Sequence, residues 1–525
     1  MKIATIDFET DPFEHGLIVE PFCCGFYDED TYIDFWGPDC ADKLMEYIGE
    51  LKEPYIIYAH NGGKFDFFFI LKHFKGHLRI VNGRILEATY KAHKFRDSFA
   101  ILPVGLAKME KQVFDYTKLY KNKRNKYKQE ILNYLQSDCI NLYKYVKLFL
   151  DEFGDKLTIG SAAMSELKKF HSFEQTNDAF DAKFRPFYYG GRVQCFHVGM
   201  YKGPLKVFDV NSMYPDVMKN SKHPVSKGHE VSRKITNKTC FAIIEGKNYG
   251  AFPARTDSGL DFNIPYGKFM VTKHELDAAE ETGTFTIDRV HCSYDFNRTI
   301  SFADFIDHFY SRRMTARGIG DSALDLFYKL ILNSSYGKFA LNPENFAEYK
   351  ITSIDEYLDN TEDEPWVIKE ENALGYRIWE MPSPQKRYYN VATAASITGA
   401  ARAKLLLGLA KATRPIYCDT DSIVCENMTV HADPKTLGAW KLEAEGDTMA
   451  IAGKKLYALF KNGKAIKFAS KGGTLTPDEI KACALGDEIE YKNAVPNFKL
   501  TGQHRFVTRT FKKTGKAGWI NPNKN

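Results

Sequence analysis

Two aspartates lie close together in an apolar stretch of the sequence, in the run YCDTDSI from Tyr417 to Ile423. Asp419 and Asp421 are two residues apart, so on an extended chain they point the same way. Two carboxylates on one face repel each other, and burying them is costly unless a cation or a proton intervenes. The run predicts either a solvated turn, which suits Asp, Thr and Ser, or part of a metal site. Carboxylates elsewhere in the chain decide between these readings.

A first set of four carboxylates and a phenol occupies the N-terminal part of the chain. Asp7 and Glu9 share one face of a predicted strand in IDFET, and Asp66 follows a Gly-Gly turn at the predicted start of a helix. Tyr134 and Asp138, in YLQSD, lie on one face of a helix. Each piece alone could be structural: an acid pair at a strand edge, a helix cap or an amphipathic helix. Together they can hold two divalent cations that activate a water and stabilise the leaving oxygen of a phosphodiester.

A second set joins Asp209 to Asp419 and Asp421. Asp209 ends an apolar strand in VFDVNSMYP, and the other two lie at the end of a predicted two-stranded turn. If the strands are neighbours, the three carboxylates converge, and two Mg²⁺ ions would relieve their repulsion. The sequence therefore predicts two separate metal sites.

The run KLILNSSYG lies between these aspartates and carries a cation, an amide and an aromatic ring. Lys329, Asn333 and Tyr336 follow helical spacing and are predicted on one helical face. Such a face suits the triphosphate, sugar and base of a nucleotide. For Lys329 taken alone, a lysine whose stem packs beside core residues is the favoured interpretation.

The elements that must position these residues alternate between strand-like and helical runs. A strand-like KIATIDF opens the chain, and a helical run with apolar residues at three- and four-residue spacing ends its first 150 residues. A turn-rich region reaches about residue 298. Two helical runs and a small-residue helix then lead into the Asp419 strand; they are SFADFIDHFYSRRMTAR, DSALDLFYKLILNSSYGKF and VATAASITGAARAKLLLGLA.

Composition indicates a globular chain with several domains, because its 525 residues are 44% hydrophobic and 26% charged. The net charge of +5 does not by itself indicate a polyanionic partner. Six cations are concentrated in KLYKNKRNKYK, from Lys118 to Lys128, interleaved with tyrosines. Such a run is usually a solvated face, but it also suits phosphates.

The ten cysteines include no CxxC pair, which favours a reducing compartment and argues against a structural zinc site. No signal peptide precedes the first strand-like run, and the longest apolar run, FDFFFIL, is too short to span a bilayer. We therefore expect a soluble protein of the cytoplasm, or of the host cytoplasm if the chain is viral, with no membrane partner.

At this point the chain resembles the family B DNA polymerases, and within them the protein-primed, phage-type branch. DFE, NGGKFD and YLQSD resemble that family's three exonuclease motifs, while DVNSMYP, KLILNSSYG and YCDTDS resemble its polymerase motifs A, B and C. YYGG, TGAAR and KLY resemble the YxGG linker, the Tx2AR motif and the KxY motif. KQVF and SF resemble the exonuclease lysine motif and strand-binding pair. The motifs follow the family's order from about residue 5 to 460.

The resemblance implies a role for each matched residue. Catalytic residues would be Asp7, Glu9, Asp66, Tyr134, Asp138, Asp209, Asp419 and Asp421. Metal ligands would be Asp7, Glu9, Asp66, Asp138, Asp209, Val210 and Asp421. Tyr214, Lys329, Asn333 and Tyr336 would bind the nucleotide. DNA would be bound by Asn61, Phe65, Ser98, Lys111, Tyr188, Gly190, Gly191, Thr398, Arg402, Lys455 and Tyr457.

The resemblance also implies a mixed α+β fold, an RNase H-like exonuclease domain followed by a right-hand polymerase with palm, fingers, thumb and two palm insertions. The expected divisions are an exonuclease at 1–155, palm at 156–220 and 391–487, insertions at 221–304 and 341–390, fingers at 305–340 and thumb at 488–525. The insertions and thumb are placed by length and position only.

The predicted function is a DNA-directed DNA polymerase with a 3′–5′ proofreading exonuclease, replicating a linear genome from a protein primer. Its expected partners are template and primer DNA, deoxynucleotides and a terminal priming protein, with two Mg²⁺, or Mn²⁺, at each centre and a monomeric chain. Alternatives are a family B enzyme that extends only nucleic-acid primers, a reverse transcriptase, and a non-catalytic nucleic-acid-binding relic. A reverse transcriptase typically has adjacent aspartates where this chain has Asp419-Thr420-Asp421, and a relic usually loses a metal carboxylate.

Overall fold

Two large β-sheets organise the chain, and each carries one of the two carboxylate sets. The computed structural model describes residues 2–105, 109, 113–257, 259–382, 389–493 and 495–519. A ten-stranded sheet contains the strand of Asp7, and a seven-stranded sheet contains the strand of Asp209. The two sets are therefore built on different structural frames.

The N-terminal region forms most of the ten-stranded sheet. Its first strand pairs antiparallel with the second and parallel with the fourth, and the long helix α3 packs against it. Apolar residues on both faces of this first strand explain its near-continuous burial. The elements are β1 (Lys2–Thr10), β2 (Pro21–Tyr27), β3 (Tyr32–Trp36), α1 (Cys40–Glu50), β4 (Tyr55–Ala59), α2 (Asp66–Phe69), β5 (Gly76–Val81), β6 (Arg84–Tyr90), β7 (His93–Asp97), α3 (Lys128–Phe153), α4 (Ile159–Phe170) and α5 (Asp178–Phe184).

The next region begins the seven-stranded sheet and then forms a small sheet of its own. Four antiparallel strands, in the order β11-β16-β12-β15, lie within residues 221–304, where the first insertion is predicted. The elements are β8 (Val193–Cys195), β9 (Gly199–Val210), α6 (Met213–Asn220), β10 (His223–Pro224), β11 (His229–Ser232), β12 (Thr239–Asn248), β13 (Ala254–Thr256), β14 (Gly259–Asp261), β15 (Tyr266–Thr272), α7 (Lys273–Thr282), β16 (Phe285–Phe296) and β17 (Thr299–Ile300).

The region predicted as fingers and second insertion has a helical part and a part that joins the N-terminal sheet. Helices α8 and α9 pack together. Strand β18 pairs with β5 and so extends the ten-stranded sheet of the N-terminal region. The acidic run between β18 and β19 is mostly exposed, from Asp355 to Pro365. The elements are α8 (Ala303–Gly318), α9 (Ser322–Ser334), β18 (Ala347–Ser353), β19 (Val367–Asn372), β20 (Tyr376–Pro382) and α10 (Val391–Lys411).

The remaining strands complete the seven-stranded sheet, in the order β25-β24-β23-β9-β22-β21-β8. Helix α10 packs on β22 and α6 and is buried almost all round, which explains its small residues. The elements are β21 (Ala412–Asp419), β22 (Ser422–Met428), β23 (Trp440–Gly453), β24 (Leu456–Lys461), β25 (Lys464–Ser470), α11 (Pro477–Leu485), β26 (Ile489–Lys492), β27 (Asn497–Phe498), β28 (His504–Arg505) and β29 (Thr508–Phe511).

The C-terminal strands lie against the N-terminal region through aromatic rings. Phe498 stacks on Phe68, with ring centroids 5.4 Å apart. Among the helices that the structure describes, none has the length and apolar character needed to span a bilayer. The domain divisions expected from the sequence stay predictions.

Candidate active sites

Three carboxylates of the first set meet at one place. Asp7 and Glu9 lie on the same face of β1, and Asp138 reaches them from α3. One oxygen from each of the three lies within 4.8 Å of the others. Such a spacing suits a divalent cation, because carboxylates this close repel one another until a positive charge lies between them.

Asp66 completes this group from a buried position. It begins α2, as the sequence predicts, and it is only 2% exposed. Burial, and then the charge of Asp7, raise the pKa of Asp66 well above its usual range. Its Oδ1 has no hydrogen-bond partner among the described residues. An orphaned carboxylate oxygen beside other carboxylates fits a cation ligand.

Tyr134 lies one helical turn before Asp138 and is held by two aromatic neighbours. Its hydroxyl is 3.1 Å from the hydroxyl of Tyr116. Its ring stacks on that of Phe114, with centroids 4.3 Å apart. Burial, and then the hydrogen bond to Tyr116, raise the pKa of Tyr134, so the phenol stays protonated at neutral pH. The sequence analysis named Phe114 only as the last residue of KQVF and missed Tyr116, although the run FDY just before the basic run was a signal.

The NGGKFD loop makes a tight approach to the neighbouring sheet. Asn61 adopts a left-handed conformation, with φ of 61°. A Cβ built on Gly63 would lie 1.9 Å from the carbonyl oxygen of Ile85, so no other residue fits there. The ring of Phe65 contacts Phe498 from the C-terminal region, with centroids 5.5 Å apart. The loop thus places Phe65 between two parts of the chain.

Two further residues of the predicted DNA-binding set are Ser98 and Lys111. Ser98 is fully buried, and its hydroxyl donates to the carbonyl of Ala59 at 3.2 Å and lies 3.0 Å from Nδ1 of His60. Any part it plays in strand binding therefore runs through those neighbours. Lys111 lies outside the described residues. Both roles stay predictions.

The second site joins Asp209 of β9 to the turn between β21 and β22. Asp209 pairs with Ser422, and the amide of Val210 donates to the carbonyl of Asp421 at 2.8 Å. Burial, and then the neighbouring Asp209, raise the pKa of Asp421 to about 6. Burial also raises the pKa of Asp209. The predicted convergence of these two carboxylates is present, and their mutual repulsion fits a cation site.

Asp419 is balanced by a lysine. The ammonium of Lys455 donates to both its carboxylate oxygens, at 2.6 and 2.7 Å. The amide of Lys455 in turn donates to the hydroxyl of Tyr417 at 2.9 Å, and the ring of Tyr457 lies 4.8 Å from that of Tyr417. Asp419 therefore links the motif C turn to the KxY motif.

A cavity of about 1130 Å³ opens beside Asp209 and Asp421. All four residues predicted to bind the nucleotide line it: Tyr214, Lys329, Asn333 and Tyr336. The rings of Tyr214 and Tyr336 are stacked, with centroids 4.2 Å apart. The predicted single helical face is modified, because α9 ends at Ser334 and Tyr336 begins a 3-10 helix. Such tightening is common at helix ends, and it leaves Tyr336 in the same cavity.

Further cations line this cavity and were missed by the sequence analysis; they are Arg313, Arg317, Lys435 and Lys441. The Nε atoms of Arg313 and Arg317 both donate to Asp325, at 2.8 and 2.9 Å. Lys441 lies opposite Asp209 in the sheet, and its Nζ is 3.0 Å from Oδ1 of that carboxylate. The run SRRMTAR before motif B was the available signal for the arginines.

The YxGG linker is held by Arg402 of α10, which also pairs with a residue of the first predicted insertion. Nη1 of Arg402 donates to the carbonyls of Tyr189 and Gly190, at 2.7 and 2.9 Å. Its Nε donates to Glu275 of α7 at 2.7 Å. Arg402 is 3% exposed, and Thr398, one turn earlier, is 1% exposed. Arg402 therefore acts on the linker directly, whatever it does toward DNA.

Two carboxylate centres lie on separate sheets, one of them beside a cavity of nucleotide size, and this arrangement suits metal-dependent chemistry on phosphodiesters. The family described as DNA polymerase type B, organellar and viral, matches residues 107–436. The DNA-directed DNA polymerase of Enterobacteria phage PRD1 is 48% identical, over 98% of each chain. The DNA polymerase of Bacillus phage B103 is 25% identical, over 71% of this chain and 68% of that one.

Solved structures agree on the fold. Phi29 DNA polymerase complexed with primer-template DNA has a TM-score of 0.74 and 21% identity, and the match covers 98% of this chain and 100% of that one. The chain belongs to the type B DNA polymerases of organellar and viral origin. The predicted enzyme class, a DNA-directed DNA polymerase with a 3′–5′ exonuclease, the predicted fold and the predicted phage-type branch are confirmed.

Proposed function

We propose that the chain extends DNA at Asp209 and Asp421 and removes 3′-terminal nucleotides at Asp7, Glu9 and the carboxylates beside them. The observation that carries this assignment is the second carboxylate pair, at the wall of a cavity lined by Lys329 and the Tyr214–Tyr336 stack. Divalent cations, two Mg²⁺ or Mn²⁺ at each centre, supply charge neutralisation and an activated oxygen when bound.

In synthesis, the chain's own groups hold the reactants in line. Asp209 and Asp421, with the carbonyl of Val210, form the ligand set. Lys329 meets the triphosphate, with Asn333 beside it, and the stacked rings of Tyr214 and Tyr336 pack against the sugar and base. Positioning of this kind and electrostatic stabilisation account for most of the acceleration in phosphoryl transfer.

The primer strand lies along the KxY motif and the linker in this proposal. Lys455 and Tyr457 hold the primer end, where Lys455 also balances Asp419. Tyr188, Gly190 and Gly191 contact the template, with Thr398 and Arg402 behind them. Because Arg402 bonds the linker carbonyls, it acts there as a positioning residue for the DNA contacts.

In proofreading, Tyr134 orients the water that attacks the last phosphodiester, and Asp7, Glu9, Asp66 and Asp138 supply the ligand set. The protonated phenol lies 3.1 Å from the hydroxyl of Tyr116, one helical turn before Asp138. Asn61, Phe65, Ser98 and Lys111 hold the frayed strand. An enzyme of this kind acts on template and primer DNA and on deoxynucleotides, as a monomer in the host cytoplasm.

Initiation would use a protein hydroxyl. A Ser, Thr or Tyr hydroxyl of a terminal protein can replace the primer 3′-hydroxyl as nucleophile, because the same centre can activate either oxygen. The separate sheet of residues 221–304 would dock that protein. The β18–β20 strands and the C-terminal region would surround the DNA, with the acidic run on an outer face, since it would repel phosphates.

The test of polymerase and exonuclease activity is template-dependent incorporation of labelled deoxynucleotides by the pure chain with Mg²⁺, followed by 3′ degradation when nucleotides are withheld. Extension on DNA templates with loss of label from the 3′ end is expected. Failure on both DNA and RNA templates would indicate a non-catalytic relic, and extension on RNA templates without loss of label from the 3′ end would indicate a reverse transcriptase.

The test of priming adds the candidate terminal protein to template and labelled nucleotide. The expected result is label that stays on that protein through denaturing electrophoresis. If no candidate protein becomes labelled while DNA primers are extended normally, the enzyme uses only nucleic-acid primers and the priming proposal fails.

A further inference from the structure

A run of basic residues borders the exonuclease centre. This basic run, Lys118–Lys128, has six cations and no acidic residue. It joins the 3-10 helix Tyr116–Leu119 to α3, the helix that carries Asp138. The hydroxyl of Tyr116, two residues before the run, bonds the hydroxyl of Tyr134 at 3.1 Å. The basic run therefore starts at the edge of the carboxylate group.

The middle of the basic run is also tied to the strand of the catalytic carboxylates. Nη1 of Arg124 lies 3.5 Å from a carboxylate oxygen of Asp11, just past the end of β1. The guanidinium of Arg124 lies over the ring of Phe22, 4.2 Å from its centroid. Asp11 is two residues after Glu9, so these contacts hold the basic run close to the exonuclease centre.

Most of the positive charge in the basic run is exposed. Lys118 pairs with Glu130 and Arg124 with Asp11, but Lys121, Lys123 and Lys126 are exposed. Lys121 and Lys123 have no ion pair or ring contact with the residues that the structure describes. An uncompensated cluster of this kind on an otherwise near-neutral chain attracts polyanions.

Aromatic rings accompany these cations. Tyr116, whose hydroxyl contacts that of Tyr134, is 50% exposed. The ammonium of Lys126 lies 5.3 Å from the ring centroid of Tyr127, which keeps that ring near the surface charge. Cations that follow a sugar-phosphate backbone, with rings on which bases stack, are what single-stranded nucleic acid binds without regard to sequence.

We propose that Lys118–Lys128, with Tyr116, is a binding surface for the phosphates of single-stranded DNA as its 3′ end enters the exonuclease centre. The inference rests on the exonuclease activity proposed above. The basic run acts on the strand upstream of the reacting phosphodiester, so its residues bind substrate and take no part in cleavage. It favours the frayed strand over a paired primer end, which remains in the polymerase centre.

The test compares two triple variants with the unchanged protein. The first removes exposed charge from the run, with Lys121→Gln, Lys123→Gln and Lys126→Gln together. The second is matched in charge and exposure but lies elsewhere in the same region, with Lys52→Gln, Lys75→Gln and Lys144→Gln. Each is assayed for oligo(dT) binding without divalent cations over a range of salt, for degradation of single strands, and for extension of a paired primer.

For the run variant, the slope of log affinity against log salt should fall by about 2, because three phosphate contacts are lost at about 0.7 each. The KM for single-strand degradation should rise about tenfold or more, while kcat and paired-primer extension stay unchanged. The difference should shrink as the oligonucleotide is shortened, because a short strand fills only the centre. The matched variant should behave like the unchanged protein in every assay.

Equal KM and equal salt slopes for the two triple variants would overturn the proposal. A fall in kcat without a change in KM would also overturn it, because it would place the basic run in the chemistry or the fold. If the run variant lost only terminal-protein labelling, the surface would serve a protein partner instead. If the unchanged protein degraded no single strands, the proposed exonuclease activity would be refuted. The oligo(dT) binding assay would still show whether the basic run binds single-stranded DNA.

Discussion

Gly191 of the YxGG linker lies directly against Thr420 of the motif C turn. A Cβ built on Gly191 would lie 2.7 Å from Oγ1 and 2.8 Å from Cγ2 of Thr420. Thr420 itself has a left-handed φ of 60°, and its amide donates to the carbonyl of Arg192 at 2.7 Å. The linker glycine thus leaves room for the turn that carries Asp421.

Replacing Gly191 by alanine should displace this turn and reduce primer extension. A contact below 3 Å cannot be kept, so the turn or the linker must move, and small displacements of a reacting geometry cost about a hundredfold. The measurement is kcat for extension of a paired primer, with exonuclease activity as the control for folding. Because a Cβ on Gly190 meets no atom within 4 Å, Gly190→Ala should have the smaller effect.

A second substitution, at Thr420, separates a steric clash with this residue from a general loss of polymerase activity. Thr420→Gly removes the clashing atoms and suits the left-handed backbone. The double variant Gly191→Ala with Thr420→Gly should therefore recover much of the extension lost in the first variant. Losses that simply add in the double variant would show that the two residues act independently.

The two carboxylate centres should be separable, since they are built on different sheets. Asp7→Ala with Glu9→Ala should abolish 3′-end degradation and leave extension intact, and Asp421→Ala should do the reverse. Each loss should exceed about a hundredfold, because metal sites supply several kcal/mol of transition-state stabilisation. Both activities are measured on the same labelled primer, with thermal unfolding as a control. A folded Asp7 and Glu9 variant without extension would contradict independent sites.

Tyr214 should select the sugar of the incoming nucleotide. Its ring is stacked on Tyr336 in the cavity beside Asp209, where a 2′-hydroxyl would meet it. Tyr214→Val removes that ring and should raise the ratio of ribonucleotide to deoxynucleotide kcat/KM by about tenfold or more. Tyr214→Phe keeps the ring and should keep the discrimination. An unchanged ratio in the valine variant would remove Tyr214 from this role.

Acid should destabilise the folded chain partly through His223. This ring is fully buried, donates from Nε2 to the carbonyl of Val217 at 2.9 Å and lies 2.9 Å from the hydroxyl of Ser396. Burial, and then the neighbouring His274, lower the pKa of His223 to about 3. Because the unfolded state takes up the proton first, stability is full above pH 6.5 and falls progressively toward pH 3.

Thermal unfolding of His223→Gln tests this pH dependence. At pH 5 the unchanged protein should have lost about 2 kcal/mol of stability through this one residue, because pH 5 lies about 1.5 units below the pKa of an unfolded histidine. The glutamine variant should be less stable at pH 7.5 but lose less on acidification. His77→Gln, at an exposed position, should retain the parent's pH dependence. The same loss in parent and His223 variant would assign the acid sensitivity to other groups.

The sequence by itself determined which residues share a face of one element. Asp7 and Glu9 are two apart on β1, and Tyr134 and Asp138 are one turn apart on α3, because strand and helix periods act over neighbouring residues. The start of α2 at Asp66 was predicted from the Gly-Gly turn before it. The order of the motifs was sufficient to indicate the family.

Only the tertiary structure decided which distant groups meet. The pairing of Lys455 with Asp419, the contact of Gly191 with Thr420 and the addition of β18 to the N-terminal sheet join segments far apart in the chain. No local period encodes such contacts, because they depend on how whole sheets and helices pack. The buried ion pair of Arg402 and Glu275 arises in the same way, since a charge can be buried only where folding brings its partner to it.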